Sequence, residues 1–184
     1  SMSSGKTTSG RVIVHELKRR GLKVAAAKLT GAARYRDTLS LGDAGADRIF
    51  DFVDVGLPST VCPETEFRAA LQQLLTRIAA SDVDILVAEA GASPLEPYNG
   101  AVAMEVLEDV IAMTVLCASD PYAVLGVEHA FGRKPDLVCG PAANTDSAVA
   151  LVSKLCGVRA LNLMRRSARP ELAGLLSERL EAQK

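Results

Sequence analysis

Apolar positions along the chain fall into two alternating rhythms, short extended runs and longer stretches with helical spacing. The first helical stretch is expected from about Lys6 to Arg20, with Val12 and Leu17 on its apolar face and Gly21 as its stop. An extended run, Lys23–Leu29, comes next. A loop of small and charged residues, Thr30 to Asp37, then leads to a short helix near Leu39–Ala44 and a strand near Arg48–Val53. Pro63 opens a strongly periodic helix to about Ala80, in which Phe67, Leu71, Leu74, Leu75 and Ile78 recur on one face. The clearest strand is Val83–Ala88. After it the pattern predicts a helix at Ala101–Leu107, a strand at Val110–Cys117, a helix after Pro121 and a strand at Asp136–Cys139. A helix at Asp146–Leu155, a short strand at Arg159–Leu163 and a final helix at Pro170–Leu180 complete it. Strands alternating with helices in this way predict an α/β fold, a doubly wound parallel sheet.

Composition narrows the picture in four respects. A chain of 184 residues is expected to form one domain with a full core, and with only 4% aromatics and no Trp that core must be built from Ala, Val, Leu and Ile. A formal net charge of -1 gives no electrostatic reason to expect nucleic acid or an anionic membrane as partner. No secretory signal is recognisable, and no apolar run reaches the roughly 18 to 20 residues of a membrane helix, so a cytoplasmic location is expected. The four cysteines, Cys62, Cys117, Cys139 and Cys156, form no C-x-x-C pair and are expected to be reduced and mostly buried.

The first residues carry the main chemical signal. Ser1-Met2-Ser3-Ser4-Gly5-Lys6-Thr7-Thr8 matches the later positions of the phosphate-loop pattern G-x-x-x-x-G-K-[ST], whose first Gly would fall just before Ser1. Small residues let successive backbone N–H groups curl around phosphate oxygens, and the helix that begins at Lys6 presents its positive end to them. Ser3, Ser4, Gly5, Lys6, Thr7 and Thr8 are thus the expected nucleotide contacts. Lys6 brings a mobile charge to the outer phosphates, and the Thr7 hydroxyl is a ligand for Mg²⁺. The competing reading is a Ser/Gly-rich terminus without structure; the amphipathic helix and strand beyond it favour the loop. Such a loop normally continues from a parallel strand, so the first strand is expected to be absent from this chain and supplied by an earlier segment.

Other candidates cluster at predicted strand ends, where open parallel sheets bind ligands. Glu89 lies at the end of the strand Val83–Ala88 and is expected at a metal or in catalysis. Asp51 and Asp54 flank another strand end, and Asp54 is the preferred metal ligand because Val55-Gly56 then turns the chain; Ser59 and Thr60 offer hydroxyls. Lys28, Arg34 and Arg36 place three positive charges near one loop, beside Tyr35, and suit an anionic substrate. Asn144, in Gly140–Asp146, is a candidate for a base edge, although Thr145 or Asp146 in the same stretch suits a helix cap. Glu96 and Tyr98 are further substrate candidates. His15 and His129 have no triad partners in the pattern and read as surface or capping residues.

The Ser4-Gly5-Lys6-Thr7-Thr8 loop, the strand end Lys28-Leu29-Thr30-Gly31 and the strand end Ala88-Glu89-Ala90-Gly91-Ala92 together resemble the dethiobiotin synthetase and cobyrinic acid a,c-diamide synthase-like branch of P-loop NTPases. The resemblance extends to domain-of-unknown-function proteins whose C-terminal half is a P-loop domain. It implies Lys6 and Thr7 as phosphate and magnesium residues, Glu89 as a metal or substrate-loop residue, and Lys28 as a substrate or phosphate contact. The chain departs from the branch in having Leu29 after Lys28 where a Pro is usual, and no second Gly directly after Ala92. The expected function is that of an ATP- and Mg²⁺-dependent enzyme that phosphorylates or activates a small carboxylated metabolite. A regulatory nucleotide-binding domain with little turnover, and a vestigial loop for another phosphorylated cofactor, are the rival readings. The expected partners are a nucleotide, a small anionic metabolite and an upstream N-terminal domain, with a homodimer as a possible assembly.

Overall fold

The computed structural model describes residues 4–91 and 95–182. They form an α/β fold in which small parallel sheets alternate with helices, gathered into two compact units. One unit holds residues 10–91 and 95–109, the other residues 4–9 and 110–182. Helix α1, Lys6–Arg19, begins in the second of these and ends in the first.

The unit of residues 10–109 is built on a three-stranded parallel sheet. Strand β1, Val24–Thr30, lies at its centre, with β2, Arg48–Asp51, on one side and β3, Ile85–Ala90, on the other. Every residue of β1 is buried, which its run of Ala and Val allows, because small side chains let helices approach both faces. The odd positions Ala25, Ala27 and Leu29 join a core with Phe67, Leu71, Leu74 and Ile78 of helix α3, Glu64–Ala79, and Val102 and Ala103 of α4, Gly100–Leu107. The even positions turn the other way, where Lys28 meets Asp37 of helix α2, Tyr35–Asp43. Acidic Glu64 and Glu66 in the first turn of α3 and Arg77 in its last complement the helix dipole.

In the unit of residues 4–9 and 110–182, β4, Val115–Cys117, pairs in parallel with β5, Leu137–Cys139, and Val138 also makes a parallel bridge to Ala160. Helix α5, Pro121–Phe131, is capped by Asp120, whose carboxylate accepts from the Ala123 N–H at 2.9 Å. Helix α6, Asp146–Cys156, is capped by Thr145 through the Ala148 N–H at 3.1 Å. Helix α7, Arg169–Glu181, buries Leu172, Leu175 and Leu176. Val124, Val138, Ala142, Val152 and Cys156 form the core of this unit.

Four elements differ from the sequence pattern. The strand expected to reach Val53 stops at Asp51, because the Asp51 carboxylate accepts from the Val53 N–H while Asp54 reaches back to the Asp51 N–H at 2.8 Å. That reciprocal cap closes Phe52–Val55 into a 3₁₀ turn. The strand expected from Val110 shortens to β4, since Glu108–Val110 is a 3₁₀ turn. The strand expected at Arg159–Leu163 is reduced to the single bridge at Ala160, and α2 starts four residues early, at Tyr35 rather than Leu39. Among the described residues no helix is long and apolar enough to cross a membrane.

Asp47 ties the sheet to α1: its carboxylate accepts from Lys18 Nζ at 2.7 Å and from the Val24 N–H at 2.6 Å. The Lys18 contact, then the backbone N–H, holds its carboxyl below the usual carboxylate range. A group held low in the folded state stabilises it fully above the unfolded value near 4, and loses that effect as pH falls through the lower folded value. Asp47→Asn should therefore lower the melting temperature at pH 7, and the gap between the two proteins should close as the pH is taken from about 4 to about 2. Thermal melts across that range check this; a gap independent of pH would contradict it.

Candidate functional site

The first described residues are a short turn followed by a helix. Helix α1 starts at Lys6, and its first backbone bond runs from the Ser9 N–H to the Gly5 carbonyl at 2.8 Å. Ser4 is buried, Lys6 and Thr7 are half-buried, and Thr8 is exposed. Ser3, the other expected contact in this loop, lies outside the described residues.

What seats the turn is Gly140, the residue after β5. Its backbone is left-handed, with φ of 84°, and a Cβ built on it would fall 2.3 Å from the Ser4 carbonyl oxygen and 3.2 Å from the Ala118 carbonyl oxygen. Only a residue without a side chain fits there. The Ala118 N–H donates to the Cys139 carbonyl and the Ala142 N–H to the Ala118 carbonyl, so the chain ends beyond β4 and β5 are knitted into a floor beneath Ser4 and Gly5. Asn144 is exposed close by, with its carbonyl accepting from Asn162 Nδ2 at 2.7 Å, and of the two cap candidates Thr145 makes the capping bond.

Under the same floor lie two thiols. Cys117 and Cys139 are register partners at the ends of β4 and β5, with their Sγ atoms 3.3 Å apart, and Ser9 Oγ of α1 lies 3.2 Å from Cys139 Sγ. The neighbouring Cys117 thiol, and then burial, push the Cys139 thiol far above its ordinary range, so it is held protonated. Burial also raises Cys62 and Cys156.

The unit of residues 10–109 assembles the other candidates. The strand register sets Asp51 of β2, Lys28 of β1 and Glu89 of β3 side by side in one row. Directly after that row the β1–β3 ladder slips, Thr30 pairing with Ala90, so Leu29 is the extra residue of a bulge. Lys28 is only 5% exposed, and its ammonium donates to Asp37 Oδ2 at 2.8 Å and to the Ala32 carbonyl at 3.1 Å. Asp51, equally buried, accepts from Thr38 Oγ1 at 2.6 Å. Its neighbour Asp54, preferred on sequence as a metal ligand, is exposed and spends its carboxylate on the cap of the 3₁₀ turn. Glu89 is half-buried. Arg34 and Arg36 are exposed on either side of Tyr35, which is itself 72% exposed.

The loops beyond this row are clasped by Thr60. Its hydroxyl accepts from the Gly31 N–H at 2.9 Å and donates to the Tyr98 carbonyl at 2.7 Å, while Asn99 Nδ2 donates to the carbonyls of Thr60 and Cys62. Gly91 packs its backbone on Thr30, where a Cβ would come within 2.1 Å of the carbonyl oxygen. Glu96 is half-buried, and His15 and His129 are not buried. Among the described residues no three His, Cys, Asp or Glu side chains gather as a metal-binding group.

The chain matches no family model, no curated protein and no solved structure. The sequence pattern points to Lys28 and Glu89, which the register sets in one row with Asp51, and it prefers Asp54, which instead caps the 3₁₀ turn; it treats the cysteines as scattered. The signal for the thiol pair was present: the runs Asp136–Cys139 and Val110–Cys117 end on cysteines, and residues that end adjacent parallel strands become neighbours.

Gly140→Ala should strain the floor of the loop. A left-handed non-glycine residue pressed against the Ser4 carbonyl is expected to cost about 1–3 kcal/mol of stability, read as a lowered midpoint in urea unfolding. Wild-type stability in this variant would show that Ser4 does not rest on Gly140.

Proposed function

We propose that this chain is a Mg-ATP-binding P-loop domain of the dethiobiotin synthetase and cobyrinic acid a,c-diamide synthase-like branch, acting as an enzyme that phosphorylates or activates a small carboxylated metabolite. The observation that carries the proposal is the Ser4–Gly5 turn seated on Gly140, with α1 starting at Lys6 directly after it. The residue types suit the ligand: a small-residue turn leaves room for phosphate oxygens, the start of α1 favours negative charge, and Lys6 adds a mobile cation. Thr7, next along α1, carries the hydroxyl such sites use to ligate magnesium.

ATP would supply the phosphoryl group; the chain's own task is to hold and neutralise it. Lys6 and Thr7 take that role in the loop, with Ser3, Ser4, Gly5 and Thr8 as backbone or hydroxyl contacts and Asn144 offered to the base. The anionic acceptor is assigned to Arg34 and Arg36, whose exposed guanidinium groups are suited to bidentate carboxylate contacts. Lys28 already shares its charge with Asp37, so its part is to fix the loop after β1 and to present positive potential in the row with Glu89. Glu89 is assigned to the metal or its waters.

Lys6→Ala should weaken Mg-ATP binding by roughly ten- to a hundred-fold, the equivalent of one charge-assisted hydrogen bond of about 1.5–3 kcal/mol. Calorimetric titration of both proteins checks it. Equal affinities would remove the loop from the nucleotide site.

A further inference from the structure

Cys117 and Cys139 stand apart from every role assigned so far. Their positions are imposed by the β4–β5 register, their sulfur atoms are in contact at 3.3 Å, and Ser9 Oγ of α1 touches Cys139 at 3.2 Å. Residue 140, next in the chain, is the glycine under the Ser4 carbonyl. A change at the sulfur pair therefore acts at once on the helix side and on the floor of the Ser4–Gly5 turn.

We propose that Cys117 and Cys139 are a redox-closable dithiol whose oxidation to a disulfide loosens the phosphate loop. The effect on nucleotide rests on the function proposed for that loop; the chemistry of the pair does not. A disulfide needs sulfur atoms at about 2.05 Å, so closing the 3.3 Å contact draws them together by roughly 1.2 Å. In an interior packed without slack that movement is transmitted, not absorbed. Cys139 Sγ turns from the Ser9 hydroxyl toward Cys117, and the end of β5 shifts beneath Ser4. The first turn of α1 and the Gly5 backbone lose a packing partner and a polar contact together.

The oxidant is a small hydroperoxide, hydrogen peroxide in the simplest case. Cys117, 7% exposed against 0% for Cys139, meets it first. The Cys117 sulfur attacks one peroxide oxygen, the O–O bond breaks, and a sulfenic acid and one water form. Cys139 sulfur then attacks the Cys117 sulfur and releases a second water, with the thiol protons carried off in the two waters. Two thiols are oxidised by two electrons and one peroxide is reduced by two. The protonated state of Cys139 and the burial of both groups make the reaction slow beside that of an exposed thiolate, which suits a response to sustained oxidation. A thiol such as dithiothreitol reverses it by exchange.

The full chain is treated with hydrogen peroxide under native conditions, its remaining thiols are alkylated after denaturation, and peptide mass mapping is paired with amide hydrogen exchange. The expected result is a peptide linked through Cys117 and Cys139, about 2 Da lighter than the sum of its reduced parts. Exchange of the amides of residues 5–9 should become several-fold faster, and dithiothreitol should restore it. In Cys117→Ser, and independently in Cys117→Ala, peroxide should leave that exchange unchanged. Both cysteines remaining free, single-cysteine sulfinic acids, or linkage of another pair would overturn the proposal, as would a Cys117–Cys139 bond that leaves exchange at residues 5–9 unaltered. None of these readouts requires nucleotide. Weaker Mg-ATP binding by the oxidised chain is a separate arm, and failure of both reduced and oxidised chains to bind it would count against the nucleotide reading alone.

Discussion

Backbone pressed directly on backbone, at the C-terminal ends of parallel strands, is the constraint on which the rest of this structure depends. Among the described residues it occurs in both units. Gly140 lies against the Ser4 carbonyl, and Gly91 lies against the Thr30 carbonyl, each at a distance that a single methyl group would turn into a collision. Parallel strands deliver their chain ends to one edge of a sheet, and loops leaving that edge crowd one another. Where a side chain is missing from the crowd, polar backbone comes within reach of a ligand or another loop. The phosphate-loop reading depends on that geometry, because a turn of Ser4 and Gly5 without a floor would have no defined shape.

The polar residues of the sheet edge are set by the same crowding. Burying Lys28 without a partner would be prohibitive, and Asp37 on α2 meets it at 2.8 Å. Asp51 is satisfied by Thr38, and the Gly31 N–H by Thr60. These contacts fix the loops after β1, β2 and β3 relative to the Asp51, Lys28 and Glu89 row, leaving Arg34, Tyr35 and Arg36 as its exposed margin. In the other unit the thiol pair plays the same structural part with softer chemistry: Cys117, Cys139 and Ser9 fill the space under the turn with groups that contact one another.

Much of this was legible in the sequence because local periodicity is strong. The helix beginning at Lys6, the all-buried strand through Ala25–Ala27 and the Phe67-to-Ile78 stripe come directly from spacing. Reciprocal caps are harder to see: Asp51 and Asp54 resemble a metal-binding strand end, yet Asp54 folds back onto the Asp51 N–H and ends the strand. The short strand β4 is overestimated because the apolar run from Val110 begins several residues before its pairing does. Register was the larger omission. Spacing along the chain says nothing of what lies beside a residue on the next strand, so the Asp51–Lys28–Glu89 row and the Cys117–Cys139 contact became visible only with the sheet pairing.

The central claim, that the Ser4–Thr8 segment receives phosphate groups, is tested most directly by tracking its backbone amides in a nitrogen–proton NMR titration. Mg-ATP and Mg-pyrophosphate should each displace the signals of Gly5, Lys6 and Thr7 saturably, and adenosine should leave them in place. Displacement by adenosine alone, or no displacement by either phosphate compound, would contradict the account.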